Sequence, residues 1–432
     1  MEWQKANGCK MKLLKTISLF LILLFSFSPT FGWNNHAGIT YIILQDYWKN
    51  KPPKKVKVET LDSFVLKEKN NLPGLLNDID SFISKKLPHC PPPIAELKLD
   101  GNQITQKTAV PLFFQALRVN PHHKPALFVQ SVTSIAKNPS PHLNQITTLS
   151  DKGKLVNETF VMLPQGSLVS PLDILVTAVD EPDYDLDLYL FSDSGSEVGK
   201  RYGFGEQAFG NPVYEFSSQA PFHMGFYHES NLIFSLASFL KRTYPEYRIY
   251  QFTKLSEYAF KTGHPYWGYR FAGWALHYIQ DLTQPYHSSV LPRVGAAKQI
   301  GAQLLSTVGF PSLKTQVIED VSTRHTLIEE YQYYLIKDIL QKNAKEHIVS
   351  KALQNASADQ MKSKIDYDSI RNLITKEAFE TANEADYQLE KLGITKYEKV
   401  YPENHPIHQI LAKLLAHTSH HTRVYLDAFR AP

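Results

Sequence analysis

Apolar residues recur at helical spacing through most of the chain, and prolines and glycines mark where that spacing breaks. The run Ile39–Trp48 predicts a first helix beginning just after His36, and the Lys/Pro-rich residues 49–60 read as a surface loop. Residues 61–88 predict one or two amphipathic helices, ended by Pro88 and the prolines at 91–93. Between 94 and 169, Pro111, Pro121, Pro125, Pro139, Pro141 and Pro164 leave only short apolar runs, so this stretch reads as an inserted, partly irregular segment. Ser170 and Pro171 are an N-cap and first-turn pair for a helix to about Val179. A dense acidic turn, Asp180–Asp187, follows, then a loop with several glycines from Asp193 to Asn211. From about Glu229 most segments predict helices. Gly263 and Pro265 separate two of them, Pro285, Pro292 and Pro311 mark breaks, and a loop surrounds Pro402 and Pro406 in the helical tail from Asp366 to Phe429. The fold class expected is all-α, a multi-helix bundle.

The 432 residues suffice for a large core. The net charge is +4, and the first 32 residues hold four Lys and one Glu, leaving about +1 for the remainder. That balance gives no polyelectrolyte surface for nucleic acid. The apolar run at 17–28 behind Lys12 and Lys15 reads as a secretory signal peptide, with Met11 the more natural start. Thr30 and Gly32 are small residues at −3 and −1 of a cut before Trp33. The expected organisation is a signal peptide at 1–32, a catalytic helical domain at 33–340 with the insertion at about 94–169, and a C-terminal helical extension at 341–432. The mature protein would be secreted or periplasmic and monomeric. It would hold Cys90 alone and hence no intrachain disulfide.

The chemistry concentrates in His277-Tyr-Ile-Gln-Asp281-Leu-Thr-Gln-Pro-Tyr-His287. His277 and Asp281 are i, i+4 and share one helix face, while Pro285 throws His287 to a different side. Imidazole and carboxylate together suit zinc. His325 and Glu329 repeat the i, i+4 pair on another helix, and with His287 they would make an open three-ligand site. Asp183 lies in the acidic turn, whose bland reading is a solvated turn. His223 competes with the nearby His228 for a ligand role. A cut before Trp33 would free an α-amine that can chelate a metal together with its own carbonyl oxygen, with His36 three residues on. His417, His420 and His421 read as a solvated helix end.

These residues, in this order, resemble the bacterial zinc-dependent phospholipases C over roughly 33–48 and 180–335. The matching positions are Trp33, His36, Pro182-Asp183-Tyr184, His223, His277-x3-Asp281-x5-His287 and His325-x3-Glu329. The resemblance implies a phospholipase C/nuclease-like bundle around a trinuclear zinc site. One zinc would take Asp183, His223, His277 and Asp281. A second would take Trp33, His36 and the bridging Asp281, and a third His287, His325 and Glu329. The implied activity is hydrolysis of the glycerol-side phosphodiester of a phosphatidylcholine-like lipid at a membrane surface, with Asp183 also orienting or deprotonating the water. The chain departs from the family in its short Trp33–His36 spacing, its 94–169 insertion and its helical tail.

Single-strand-specific zinc nucleases share the N-terminal Trp and the Asp-x-Thr-Gln-Pro-x-His phrase, and are the alternative. Glu329, where the nucleases carry Asp, and the Pro-Asp-Tyr turn lean toward the lipase. A secreted helical binding protein without catalysis is the third reading.

Overall fold

The computed structural model describes residues 33–134, 142–210, 215–294, 312–355 and 367–428. The leader expected at 1–32 and the break expected at Pro311 lie outside them. Helix α1 runs His36–Tyr47, α2 Leu61–Lys67, α3 Leu72–Lys86, α4 Ala109–Leu117 and α5 Pro171–Ala178. Then come α6 (Pro245–Lys261), α7 (Pro265–Leu282) and a single turn, α8 (Pro285–Ser288). The C-terminal part supplies α9 (Ser312–Lys342), α10 (Ile348–Gln354), α11 (Lys376–Leu392) and α12 (Pro406–Ala428). The protein is mostly helical, as the apolar spacing predicts.

Among the described residues, strands are confined to two antiparallel ribbons. β1 (Val56–Lys57) pairs with β4 (Leu168–Val169), and β2 (Phe128–Gln130) with β3 (Phe160–Met162). Three of the four strands fall in the 94–169 segment, where apolar runs too short for a helix pair with each other or with the 56–57 loop. The segment's other described residues form α4, a short helix at Leu143–Ile146, single helical turns and loops.

The helix boundaries follow local chemistry. Ser170 accepts a hydrogen bond from the Leu172 backbone N–H, and Pro171 opens α5. Gly263, at φ +85°, follows the end of α6, and Pro265 opens α7 in a new direction. Between Tyr266 and Leu282 every α7 residue except Tyr269 is buried, which marks a central helix rather than an amphipathic surface one. It packs along α6 and α5 and against α12. Gly273 sits at the α5 contact: a Cβ there would lie 2.5 Å from the Ala178 Cβ, so a bare backbone is what lets the end of α5 come so close.

Among the described residues the interior holds four apolar clusters, two of them large. The larger centres on Phe64, Phe113, Trp267, Phe271 and Trp274, and the smaller on Trp33, Ile39, Ile328, Leu335 and Leu411. Helix α1 serves both, sending Ala37 and Leu44 to the first and Ile39 and Ile43 to the second. The α7–α8 junction does likewise with Leu282 and Tyr286. On these same elements stand His36, His277, Gln280, Asp281, Gln284 and His287, each with no solvent exposure. Burying so many polar groups is unfavourable unless each is paired or ligates. The tail contributes to their surroundings: Thr418 bonds Thr283 (2.7 Å), Gln280 donates to Thr422 (3.2 Å), and Tyr286 donates to Asp386 (2.7 Å).

Candidate metal centre

Three groups of imidazole and carboxylate side chains gather at this buried polar region. They are His36, Asp183 and His277; His223, His277 and Asp281; and His287, His325 and Glu329. His277 belongs to two of them. Asp281 ties those two together: one oxygen lies 3.3 Å from His36 Nε2, the other 2.7 Å from His223 Nδ1 and 3.2 Å from His277 Nε2. Asp183 is 3.6 Å from His277 Nε2 and 3.8 Å from His223 Nδ1. In the third group, Glu329 Oε1 is 2.5 Å from His325 Nε2 and 3.5 Å from His287 Nε2. Pro285 explains why His287 joins a different group from His277. It starts a new turn, capped by the Gln284 side chain, instead of continuing α7.

The histidines are oriented from behind. His36 Nδ1 meets Gln280 Oε1 at 2.9 Å, His277 Nδ1 the Val179 carbonyl at 2.7 Å, and His287 Nδ1 the His223 carbonyl at 2.9 Å. Each acceptor is an oxygen that cannot donate, so each ring carries its proton on Nδ1. Nε2 is then the nitrogen that would present its lone pair to a metal, the arrangement in which metal-binding imidazoles are held. Oε2 of Glu329 is buried without a hydrogen-bond partner, and Nε2 of His36 and of His325 each meet a carboxylate oxygen of the cluster, at 3.3 Å and 2.5 Å. An orphaned acceptor of this kind is rare in folded interiors and calls for an explanation such as an ion. The residues therefore fit a metal.

Burial and pairing move the protonation equilibria in opposite directions. Burial alone would lower the His36 pKa, but the hydrogen bond and charge of Asp281 raise it to about 9. Asp281 is held well below the usual carboxylate range; burial opposes this, and the facing histidines, His277 foremost, outweigh it. Burial raises Glu329 to about 7 and lowers His325 to about 3. Carboxylates and imidazoles shifted in opposite directions in one buried group make it a candidate functional site.

The acidic turn that carries Asp183 is not the solvated turn its composition suggests. Pro182–Leu186 forms a wide helical turn, and each carboxylate goes to a different element. Asp180 accepts from the Ala37 N–H at the start of α1 (2.9 Å). Glu181 pairs with Arg270 (2.6 Å) and accepts from Trp274, both on α7. Asp185 pairs with His123 and accepts from Thr148, both in the 94–169 segment. Asp187 pairs with Arg248 (2.7 Å) on α6 and accepts from Tyr278 (2.6 Å) on α7. Asp183 faces the cluster, its side chain 17% exposed against 6% or less for the histidines and Asp281 around it, and Asp187 Oδ2 also comes within 3.9 Å of His223 Nε2.

His223, not His228, stands in the cluster; His228 turns away to the Arg371 carbonyl and the Thr375 hydroxyl. Trp33 is fully buried, its indole N–H donating to Thr283 (3.1 Å), two residues beyond Asp281. A free amine at Trp33 requires the cut before it, and the preceding residues lie outside those described. His417 and His421 face Glu377, 3.4 Å and 2.7 Å away, instead of being solvated.

Sequence reasoning missed the supporting residues Gln280, Gln284, Asp187 and the Val179 carbonyl. Gln280 and Gln284 lie inside the conspicuous run, and their spacing from Asp281 and His287 was the available signal. A small pocket of about 50 Å³ opens beside Asp183, lined also by Asn34, Lys152, Lys154, Asp180 and Tyr333. It has room for a few waters or one tetrahedral oxyanion. No helix among the described residues is long and apolar enough to cross a membrane. Compared with known proteins, the chain matches no family model, no curated protein and no solved structure.

Proposed function

We propose that the chain is a zinc-dependent phosphodiesterase of the phospholipase C type, releasing diacylglycerol and a phosphorylated head group. One observation carries the reading. Three buried imidazole–carboxylate groups, two of them sharing His277, gather beside a pocket that only Asp183 among them lines. Mixed nitrogen and oxygen ligands favour zinc over calcium or magnesium, which take oxygen. His36, Asp183, His223, His277 and Asp281 would hold two ions, with the Trp33 amine and carbonyl completing one of them after cleavage, and His287, His325 and Glu329 would hold the third. Bound zinc neutralises phosphate charge and lowers the pKa of a water at neutral pH.

The chain's own part follows from placement. Asp183 aligns a water in the pocket and takes its proton as the water oxygen attacks phosphorus. The bond from phosphorus to the glycerol oxygen breaks, and that oxygen leaves with a proton that Asp183 gives up, directly or through a water, which restores the carboxylate. Gln280, Val179 and the His223 carbonyl keep the rings from turning. The dry surroundings, with His277, Asp281 and His287 fully buried, strengthen every charge interaction at the reacting phosphate.

A nuclease would need an open aromatic face for a base. The pocket's Tyr333 already carries the Lys154 and Lys337 ammonium groups, 4.8 Å and 5.2 Å from its ring centroid, and Tyr184 is buried with its hydroxyl on Gln130. This favours lipid over nucleic acid. The test compares mixed phospholipid vesicles with single-stranded DNA, with and without chelator. Chelator-sensitive release of diacylglycerol is expected. DNA cleavage without lipid hydrolysis would move the chain to the nucleases, and no chelator-sensitive activity on either would leave a non-enzymatic binding protein.

A further inference from the structure

The Lys/Pro-rich stretch that follows α1 takes no part in the metal centre. Lys49, Lys51, Lys54, Lys55 and Lys57 fall in one short run, with no acid between Asp46 and Glu59. They exceed the whole positive balance of residues 33–432, so the rest of that span is net acidic. All five are exposed. The acids at the two ends of the run are already engaged: Asp46 by Lys49 (2.8 Å) and Arg423 (3.0 Å), and Glu59 by Lys67 and His264 (2.7 Å each). Lys49 apart, none of the five forms an ion pair among the described residues. Asp173, exposed on α5, offsets part of the Lys55 charge. Like charges held this close repel one another, and an anionic partner relieves that repulsion.

The run is also held in place. Pro52 and Pro53 restrict its backbone. Its end is β1, paired with β4 in the register Val56 to Val169 and Lys57 to Leu168, and the Val58 N–H donates to the Ser167 carbonyl at 2.9 Å. Residues directly opposite in a ladder share a face. Val169 is buried, so the Val56–Val169 face points inward and Lys57 and Leu168 point out together. Leu168 is 62% exposed, more than any other large apolar side chain among the described residues. Trp48, half-buried at the end of α1, flanks the run on its other side.

We propose that this edge, the lysines of residues 49–57 together with Leu168, docks the protein on an anionic lipid surface. Each ammonium brought to such a surface strengthens binding by about fivefold, and the attraction fades within a Debye length. Leu168 would leave water for the apolar side of the head-group layer, while the long lysine stems keep their charges at its wet side. Trp48 has the amphipathic ring that suits the same depth. Nucleic acid fits the edge less well. The run has no arginine to fork onto a phosphate, and an exposed leucine gains nothing from a phosphate backbone. Docking of this kind needs no hydrolysis and goes beyond the phospholipase reading without depending on it.

The test is flotation of the full chain with phosphate-free vesicles, galactolipid alone against galactolipid mixed with an anionic sulfolipid. Neither lipid offers a phosphodiester to the metal centre, so the readout is separate from turnover. The wild type should float with the anionic vesicles and stay behind with the neutral ones, and added salt should release it. Lys54→Gln with Lys55→Gln should weaken binding about 25-fold, fivefold for each lysine. Leu168→Asn should weaken it about tenfold. The control, Lys396→Gln with Lys399→Gln, makes the same charge change at exposed positions just before α12. The last turn of α12 meets Tyr47 through Asp427, so those positions lie at its other end, roughly 30 Å from the run. The control should bind within about twofold of the wild type, because charges that far away are screened. Equal binding of the wild type to both vesicles, equal loss in the two double variants, or undiminished binding by Leu168→Asn would each overturn the docking surface. None of these outcomes bears on chelator-sensitive phospholipid hydrolysis, which decides the phospholipase reading by itself.

Discussion

The carbonyl oxygen of His223 accepts a hydrogen bond from Nδ1 of His287 at 2.9 Å, while the His223 ring belongs to a different ligand group. The Gly225 N–H returns the contact by donating to the His287 carbonyl at 2.8 Å. A short turn after the 220–223 helix is thus stitched to α8 at backbone level, and the orientation of the third group depends on main chain rather than on the His223 side chain. The two effects are separable. His223→Ala should remove the ion held with His277 and Asp281 while the third group keeps its own. His287→Ala should do the reverse. Elemental analysis of zinc per chain after equilibrium dialysis checks this; equal loss from both variants would mean that the groups load only together.

Gln280 acts at one remove from the metal. Its Oε1 accepts from His36 Nδ1 (2.9 Å), and its amide nitrogen donates to Thr40 (2.9 Å) and Thr422 (3.2 Å), so the side chain cannot turn over without breaking all three. Gln280→Ala should free the His36 ring and lower zinc affinity roughly 10–100-fold, the usual loss when a ligand's supporting hydrogen bond goes. Competition against a zinc-binding dye measures it.

Gly273 is where packing meets the site. A methyl group there would stand 2.5 Å from the Ala178 Cβ and 3.2 Å from the Val179 nitrogen, and the Val179 carbonyl is what holds His277. Gly273→Ala should cost about 1–3 kcal/mol by overpacking, net of the better helix propensity of alanine. It should also weaken zinc binding by moving that carbonyl away from His277. Denaturant unfolding with and without chelator separates the two effects. A variant as stable as the wild type would show that α5 yields at no cost.

Much of the helical frame was legible because its signals are local. Ser170-Pro171, Gly263 and Pro265 mark ends wherever they sit, and the i, i+4 spacing of His277 and Asp281 fixes a shared face without knowledge of the fold. The acidic turn was not legible. Asp180 to Asp187 look like a solvated loop because their partners are remote: Arg248, Arg270 and His123 each lie more than fifty residues from the carboxylate they meet. His223 and His228 are alike in sequence, and only the fold sends one to Asp281 and the other to Arg371. The short strands escaped for a related reason, since two or three residues carry no readable alternation.

The Arg248–Asp187 pair tests how that turn is held. Both side chains are fully buried, and Arg248 also donates to the carbonyls of Leu117 (3.0 Å) and Arg118 (2.8 Å), fastening the end of α4 to α6. Arg248→Met leaves Asp187 charged in the interior and should cost about 3–5 kcal/mol. Asp187→Asn with Arg248→Met removes the stranded charge, so the double variant should recover part of that loss. A double-mutant cycle in urea gives the coupling, and strictly additive losses would mean that the pair does not interact in the folded state.

Glu377 gives a pH dependence whose direction can be worked out in advance. It sits on α11 facing His421 (2.7 Å) and His417 (3.4 Å) of α12, with His420 also close enough to act by charge. Burial would raise its pKa, but the His421 hydrogen bond and the histidine charges lower it below 4.5. A carboxylate depressed in the folded state adds stability above its unfolded value, and that stability is lost as pH falls through the folded value. Glu377→Gln should therefore lower Tm most at neutral pH, and the gap from wild type should close below about pH 4. Because His417 is itself pushed down by burial, the wild type loses stability on acidification from that side too, so the comparison must be made between the two proteins at each pH. Thermal melts from pH 3 to 8 check the trend, and a gap that widened in acid would show that Glu377 is protonated in the folded protein.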